Sequence, residues 1–113
     1  MTRNSGANQA FSTTYLLTCC ASSGALSPDF AVQVKQAYAN LRTALDGLGA
    51  KPDQVAKLTV FVVDHDMSKL GILTPNVTSV FGGTLPAQTL VPVPKLAVDG
   101  MLFEVEAVVV LGQ

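Results

Sequence analysis

The 113-residue chain has little of what metal sites and covalent frameworks require. It contains no tryptophan, one histidine, His65, and two cysteines, which are adjacent at Cys19 and Cys20. Adjacent cysteines exclude a disulfide framework and a zinc site built from spaced pairs, so we expect no metal. We interpret the cysteines as small buried side chains and His65 as a solvated loop residue, because nothing in the sequence brings this histidine to either thiol as a base.

Charge and long apolar runs are also scarce. Charged residues make up 13% of the chain and give a formal net charge of −1, without a basic cluster, so we expect no nucleic-acid partner. The longest apolar runs, at residues 58–63 and 107–111, are far shorter than the roughly 20 residues of a membrane helix. The run near residues 15–21 is also too short for a signal peptide, so we expect no membrane partner and a cytoplasmic protein.

The hydrophobic content, 49%, is that of a folded protein, and 113 residues are too few for two cores. We therefore expect residues 1–113 to form one domain. Ser27 as a cap, Pro28 and Asp29 predict the start of a long amphipathic helix that ends near Gly47 and Gly49. A second helix is predicted over residues 68–81.

Pro75 is expected to split the second helix, because proline inside a helix costs about 3 kcal/mol. Segments rich in β-branched residues predict strands at residues 15–20, 58–63, 87–93 and 101–111, which gives the order β-α-β-α-β-β. In the second and fourth of these strands both alternating sets of side chains are mostly apolar. Two helices cover only one face of a sheet, so the pattern predicts a homo-oligomer whose sheets pack against one another.

Two carboxylates stand out on the last predicted strand. Glu104 and Glu106 are two residues apart, so their side chains leave the same face, about 6.6 Å apart along the strand. Burial and mutual repulsion raise the pKa of such a carboxyl toward the range of a general acid or base. The alternative interpretation is a structural pair, with one glutamate exposed at an edge and the other bonded to a neighbouring strand.

Six short segments form one ordered pattern along the chain. They are DFAVQ at 29–33, ANL at 39–41, KLTVFVVD at 57–64, FGG at 81–83, LPAQTLV at 85–91 and FEVEAV at 103–108. In this order and spacing, over residues 15–111, they resemble the RidA (YjgF/YER057c/UK114) family. The resemblance implies a chorismate-mutase-like α+β fold with a mixed sheet and two helices on one face. It also implies a homotrimer whose sheets form a central barrel, with clefts between subunits.

The resemblance further implies an activity. Better-known members of this family hydrolyse reactive enamines and imines and release ammonia without metal or cofactor. By this resemblance Glu104 matches the glutamate that positions the attacking water. Gln88 stands where the deaminating members carry an arginine for the substrate carboxylate, and a glutamine supplies no charge. We expect Gln88 to lie near Glu104 and to orient a neutral or differently charged ligand.

We therefore expect a cofactor-independent, RidA-like enzyme that acts on a small metabolite, by hydrolysis or tautomerisation of an enamine, imine or related reactive intermediate. Glu104 is the expected catalytic residue. Gln88, Thr89, Cys19 or Cys20, and Phe81 are the expected substrate-binding residues. The alternative is a non-catalytic trimer that binds a metabolite or a protein after losing deaminase activity.

Overall fold

The computed structural model describes residues 12–18 and 26–111, which form a four-stranded sheet and two α-helices. The strands and helices are β1 (Ser12–Thr18), α1 (Phe30–Leu48), β2 (Val55–Val63), α2 (Leu70–Phe81), β3 (Ala87–Val93) and β4 (Phe103–Leu111). Short 3₁₀ helices, Pro52–Gln54 and Met67–Lys69, precede β2 and α2. The predicted β-α-β-α-β-β order and the α+β class are confirmed.

The sheet is mixed, with the strand order β1-β4-β2-β3. Strand β4 lies between β1 and β2 and is antiparallel to both. Strands β2 and β3 are parallel, because α2 carries the chain back across the sheet between them. Strand β3 is therefore an edge strand of the described sheet, and only β2 pairs with it.

Helix α1 begins two residues later than its capping signals predict. The cap is Asp29 and not Ser27, because the Asp29 carboxylate accepts from the Ala31 backbone N–H at 3.0 Å. Ser27 accepts from the Asp29 backbone N–H instead, at 3.1 Å. At the other end Gly49 adopts a left-handed conformation with φ 70°, which glycine accommodates without strain. The predicted end of this helix is confirmed.

The prediction that Pro75 splits the second helix is wrong. Helix α2 runs without a break from Leu70 to Phe81 with Pro75 inside it. Pro75 has no backbone N–H to donate to the carbonyl oxygen of Gly71. Gly71 lies in the first turn of α2, so the missing hydrogen bond is near the N-terminal end of the helix. Leu73 and Val77, before and after Pro75, are both buried, and this packing offsets the cost of the proline.

Both helices pack on the same face of the sheet, where the core lies. Strands β2 and β4 contribute side chains that alternate along each strand and are fully buried. The cluster contains Val34, Ala37, Tyr38, Leu41 and Leu45 of α1, Leu73, Val77, Val80 and Phe81 of α2, Leu58, Val60 and Val62 of β2, and Phe103, Val105, Ala107 and Val109 of β4.

The other face of the sheet, here called the open face, carries the alternate side chains of the same strands. They are Thr59 and Phe61 of β2, Thr89 and Val91 of β3, and Glu104, Glu106 and Val108 of β4. All of these except the exposed Thr89 are half-buried. The two helices thus cover one face only, and the covering of the open face by a second copy stays a prediction.

A buried glutamine ties α1 to the segment before β4. Gln33 is 2% exposed, and its Nε2 donates to the carbonyl oxygens of Ser27 at 2.7 Å and Gly100 at 2.9 Å. Its Oε1 accepts from the Leu102 backbone N–H at 2.8 Å. One amide therefore fixes the turn that leads into β4, the strand that carries Glu104.

The variant Gln33→Met fills a similar volume but leaves three backbone groups, whose hydrogen bonds to Gln33 are part-buried, without their partner. We expect its free energy of unfolding to fall by about 2–4 kcal/mol. The matched variant Gln36→Met lies on the same helix and removes only the bond to Asn40, so we expect a loss below about 0.5 kcal/mol. Urea unfolding at one protein concentration measures both, and equal losses would contradict the role assigned to Gln33.

Candidate active site

Glu104 lies on the open face, in the middle of a partly apolar row. Its position in β4 is opposite Phe61 of β2, and Phe61 is in turn opposite Val91 of β3. Glu106 lies two residues along β4, opposite Thr59, which is opposite Thr89. The open face therefore has an apolar row that contains Glu104 beside a polar row that contains Glu106.

The surroundings of Glu104 favour its protonated form. Burial raises the pKa of the Glu104 carboxyl above its usual range, and the negative charge of Glu106 raises it further. Within residues 12–18 and 26–111, no ion pair or hydrogen bond stabilises the charged form of this carboxylate. A carboxyl of this kind can exchange a proton with a substrate or a water molecule closer to neutral pH than an exposed glutamate can.

Gln88 lies on the other side of the sheet. In the β2–β3 register it is opposite Leu58, a fully buried residue of the helix-covered face. It lines a small cavity of about 120 Å³ between α2 and the segment that enters β3, together with Leu70, Leu73, Thr74, Val77, Leu85 and Pro86. Gln88 is exposed, and its amide makes no hydrogen bond with the described residues.

Within one chain the structure therefore does not bring Gln88 beside Glu104, and their meeting in one cleft stays a prediction. Neighbouring side chains on a strand point to opposite faces, and the register places Gln88 with the core side and Thr89 with the open face. Sequence alternation alone could not reveal this, because it does not specify which residue of β3 pairs with which residue of β2.

The other predicted substrate-binding residues fall in three different places. Thr89 is exposed on the open face, in the row of Thr59 and Glu106. Phe81 is 7% exposed and belongs to the core at the end of α2, and its contact with a substrate stays a prediction. Cys19 and Cys20 lie outside the described residues.

Two features of the site are not predicted from the sequence. Thr59 is the first, although it is the one hydroxyl in an otherwise apolar run at residues 58–63. The leucine-lined cavity at Gln88 has no sequence signature, because its walls come from α2 and from the segment before β3. His65 is half-buried, and its Nδ1 is shielded from solvent without a partner among the described residues, so the ring is only partly the solvated group that was predicted.

Neither a metal cluster nor a membrane helix is found in the part of the chain that the structure describes. No three His, Cys, Asp or Glu side chains converge there in a way that could hold a metal ion. No described helix combines the length and the apolar character needed to cross a membrane.

Comparison of the sequence with known proteins shows which family the chain belongs to. The family model described as Endoribonuclease L-PSP matches residues 11–111. The chain belongs to this family, which is the RidA (YjgF/YER057c/UK114) family. A RidA-family relative, the 2-iminobutanoate/2-iminopropanoate deaminase of Salmonella typhimurium, is 30% identical over 88 residues, which cover 77% of this chain and 68% of the relative.

Solved structures agree with the family and the fold. The Rid-family protein YyfB of Yersinia pestis, described as of unknown function, superposes with a TM-score of 0.80 at 28% identity, over 88% of this chain and 78% of that one. RidA of Psychrobacter sp. PAMC 21119 superposes with a TM-score of 0.73 at 23% identity, over 86% and 79% of the two chains. The chorismate-mutase-like α+β fold is thereby confirmed.

Proposed function

We propose that this RidA-family protein hydrolyses a small imine, or an enamine after its tautomerisation, to a carbonyl compound and ammonia. The observation that carries the proposal is Glu104, a partly desolvated carboxyl with a raised pKa on the open face. Its carboxylate accepts a proton from water as the water oxygen attacks the imine carbon and passes it to the imine nitrogen, which gives a carbinolamine. The same carboxylate then moves the hydroxyl proton of the carbinolamine to nitrogen as the C–N bond breaks, which releases ammonia and leaves the carbonyl compound. The name of the Salmonella relative supports this reaction class.

The proposed cleft is completed by a second copy of the chain. Gln88 and Glu104 lie on opposite faces of one sheet, so a single small substrate cannot touch both side chains of the same copy. Strand β3 is an edge strand and its Gln88 is exposed, so a neighbouring copy can reach this side chain. We propose a homotrimer with sheets packed around a centre, in which Gln88 of one copy faces Glu104 of the next.

The substrate proposed for this cleft has no carboxylate. Gln88 offers an amide donor and acceptor but no positive charge, and its cavity contains no Lys or Arg among the lining residues. A buried carboxylate without a cation loses the charge-assisted hydrogen bonds that hold it. A neutral imine does not depend on charge-assisted hydrogen bonds, because one hydrogen bond to the Gln88 amide is enough to orient it.

Ammonia release from freshly generated imines tests the proposal directly. We expect the native chain to accelerate hydrolysis of neutral imines more than that of 2-iminopropionate. Conversion of an enamine to its imine without faster ammonia release would indicate a tautomerase instead. Absence of both activities, with saturable binding of a neutral amide, would favour the alternative of a non-catalytic binding trimer.

Restoring a cation at the edge strand is expected to shift the preference toward carboxylates. For Gln88→Arg we expect kcat/KM for 2-iminopropionate to rise by about 10- to 100-fold, because an arginine fork can bind both carboxylate oxygens. Gln88→Met is the matched control, since it keeps the length of the side chain without charge or amide. A similar gain in both variants would show that the position does not face the substrate carboxylate.

A further inference from the structure

The small cavity beside Gln88 has the apolar lining expected of a subsite for an alkyl group. Leu73 and Val77 form its buried wall, and Leu70 and Leu85, two of the exposed large hydrophobic residues of the described chain, stand at its rim. Exposed leucines around a concave surface are costly in water unless something apolar covers them. The free Gln88 amide at the same cavity provides the polar contact that orients a ligand.

We infer that this cavity binds a branched alkyl substituent of a neutral substrate, with Gln88 hydrogen-bonded to the adjacent polar group. The substrate class is then a short aliphatic imine without a carboxylate. This inference rests on the proposed function for its chemistry, but the subsite itself is defined by the cavity and its lining residues. A second copy of the chain is the competing occupant, and the variants below distinguish the two.

The cavity is partly open to solvent, so its volume indicates the size of the group that it can enclose. The cavity holds about 120 Å³, whereas an engineered apolar cavity that takes up benzene has about 150 Å³. At roughly 30 Å³ for a water-sized group, the space accommodates about four methyl-sized groups, as in an isobutyl substituent. A methyl group leaves most of the cavity empty, and part of a benzyl group stays outside it.

Substrates that differ only in this substituent test the size limit. An amine oxidase generates the matched imines in situ from ethylamine, 3-methylbutylamine and 2-phenylethylamine, which carry a methyl, an isobutyl and a benzyl group. We expect kcat/KM to be about 10- to 50-fold higher for the isobutyl imine than for the methyl imine, from the burial of three further carbons. We expect the benzyl imine to fall below the isobutyl imine. Equal values for all three would overturn the inference.

A pair of variants on α2 tests the location. Thr74 lines the cavity and is exposed, so Thr74→Phe can fill the cavity from its solvent side without replacing a core residue. Thr78 is exposed one turn further along the same helix and is not part of the lining, which makes Thr78→Phe the matched control. We expect Thr74→Phe to abolish the preference for the isobutyl imine and Thr78→Phe to retain it.

Direct binding separates failure of the subsite from failure of the proposed reaction. We expect 3-methylbutanamide, which joins an isobutyl group to a neutral amide, to shift the methyl NMR signals of Leu70, Leu73 and Leu85 saturably in the native chain. The shifts should persist in Thr78→Phe and vanish in Thr74→Phe. This result without imine hydrolysis would reject the reaction but retain the subsite. Unchanged shifts in Thr74→Phe, or dissociation of the oligomer by that variant, would overturn the subsite.

Discussion

The variant Glu104→Gln is expected to lower kcat for imine hydrolysis by about 10²- to 10⁴-fold, the range contributed by a positioned acid–base group. The amide keeps the size of the side chain and its place opposite Phe61, so the fold and the open face are preserved. What it loses is the ability to take a proton from the attacking water. Rapid-quench or coupled measurement of ammonia release gives kcat, and a loss of less than tenfold would contradict the role of Glu104.

The matched control is Glu106→Gln, on the same strand and the same face. It removes an equal charge from the polar row opposite Thr59 and leaves Glu104 in place. We expect activity to be retained. The negative charge of Glu106 contributes to the raised pKa of Glu104, so its removal lowers that pKa.

The pH profile supplies an independent readout of the same pair. Hydrolysis requires the Glu104 carboxylate, so activity falls as the pH decreases through the raised pKa of this group. Because Glu106→Gln lowers that pKa, its acidic limb should move to lower pH relative to the native chain. A limb that does not move, or that moves upward, would show that another group controls the profile.

The parts of the fold that depend on local pattern were predictable from the sequence. The four strands and two helices follow from β-branched runs and three-and-four spacing, and Gly49 ends α1 as its chemistry requires. The two errors have different causes. Ser27 lost the cap to a second local signal, Asp29, whereas the break expected at Pro75 was overridden by burial of α2 against the core.

The candidate site was predictable only in part, for a reason of geometry. The spacing of Glu104 and Glu106 fixes their common face, because both belong to one strand. The relation of Gln88 to Glu104 involves two strands that are not paired with each other, since β2 lies between them. Whether they share a face depends on two registers, and a shift of one residue in either would reverse the answer.

Mixing of subunits is expected to restore activity between two impaired variants, because Gln88→Met lacks the amide that orients the substrate and Glu104→Gln lacks the carboxylate that accepts the proton. If each cleft takes Gln88 from one copy and Glu104 from another, a 1:1 mixture of Gln88→Met and Glu104→Gln chains, refolded together, regains about a quarter of the native activity. Half of the clefts receive a native Gln88, and half of those a native Glu104. If both residues served a cleft from the same copy, no cleft in the mixture would be intact.

A mixture of the double variant with native chains tests the same arrangement in a second way. The double variant Gln88→Met/Glu104→Gln, mixed 1:1 with native chains, should leave about a quarter of the clefts active when they are shared between copies, but about a half when they are not. Both mixtures start from the same observation, that β2 places Gln88 and Glu104 on opposite faces of one sheet. Activities of zero and one half would mean that both residues serve each cleft from the same copy. One half in both mixtures would remove Gln88 from the cleft, whereas two values near a quarter require a shared site.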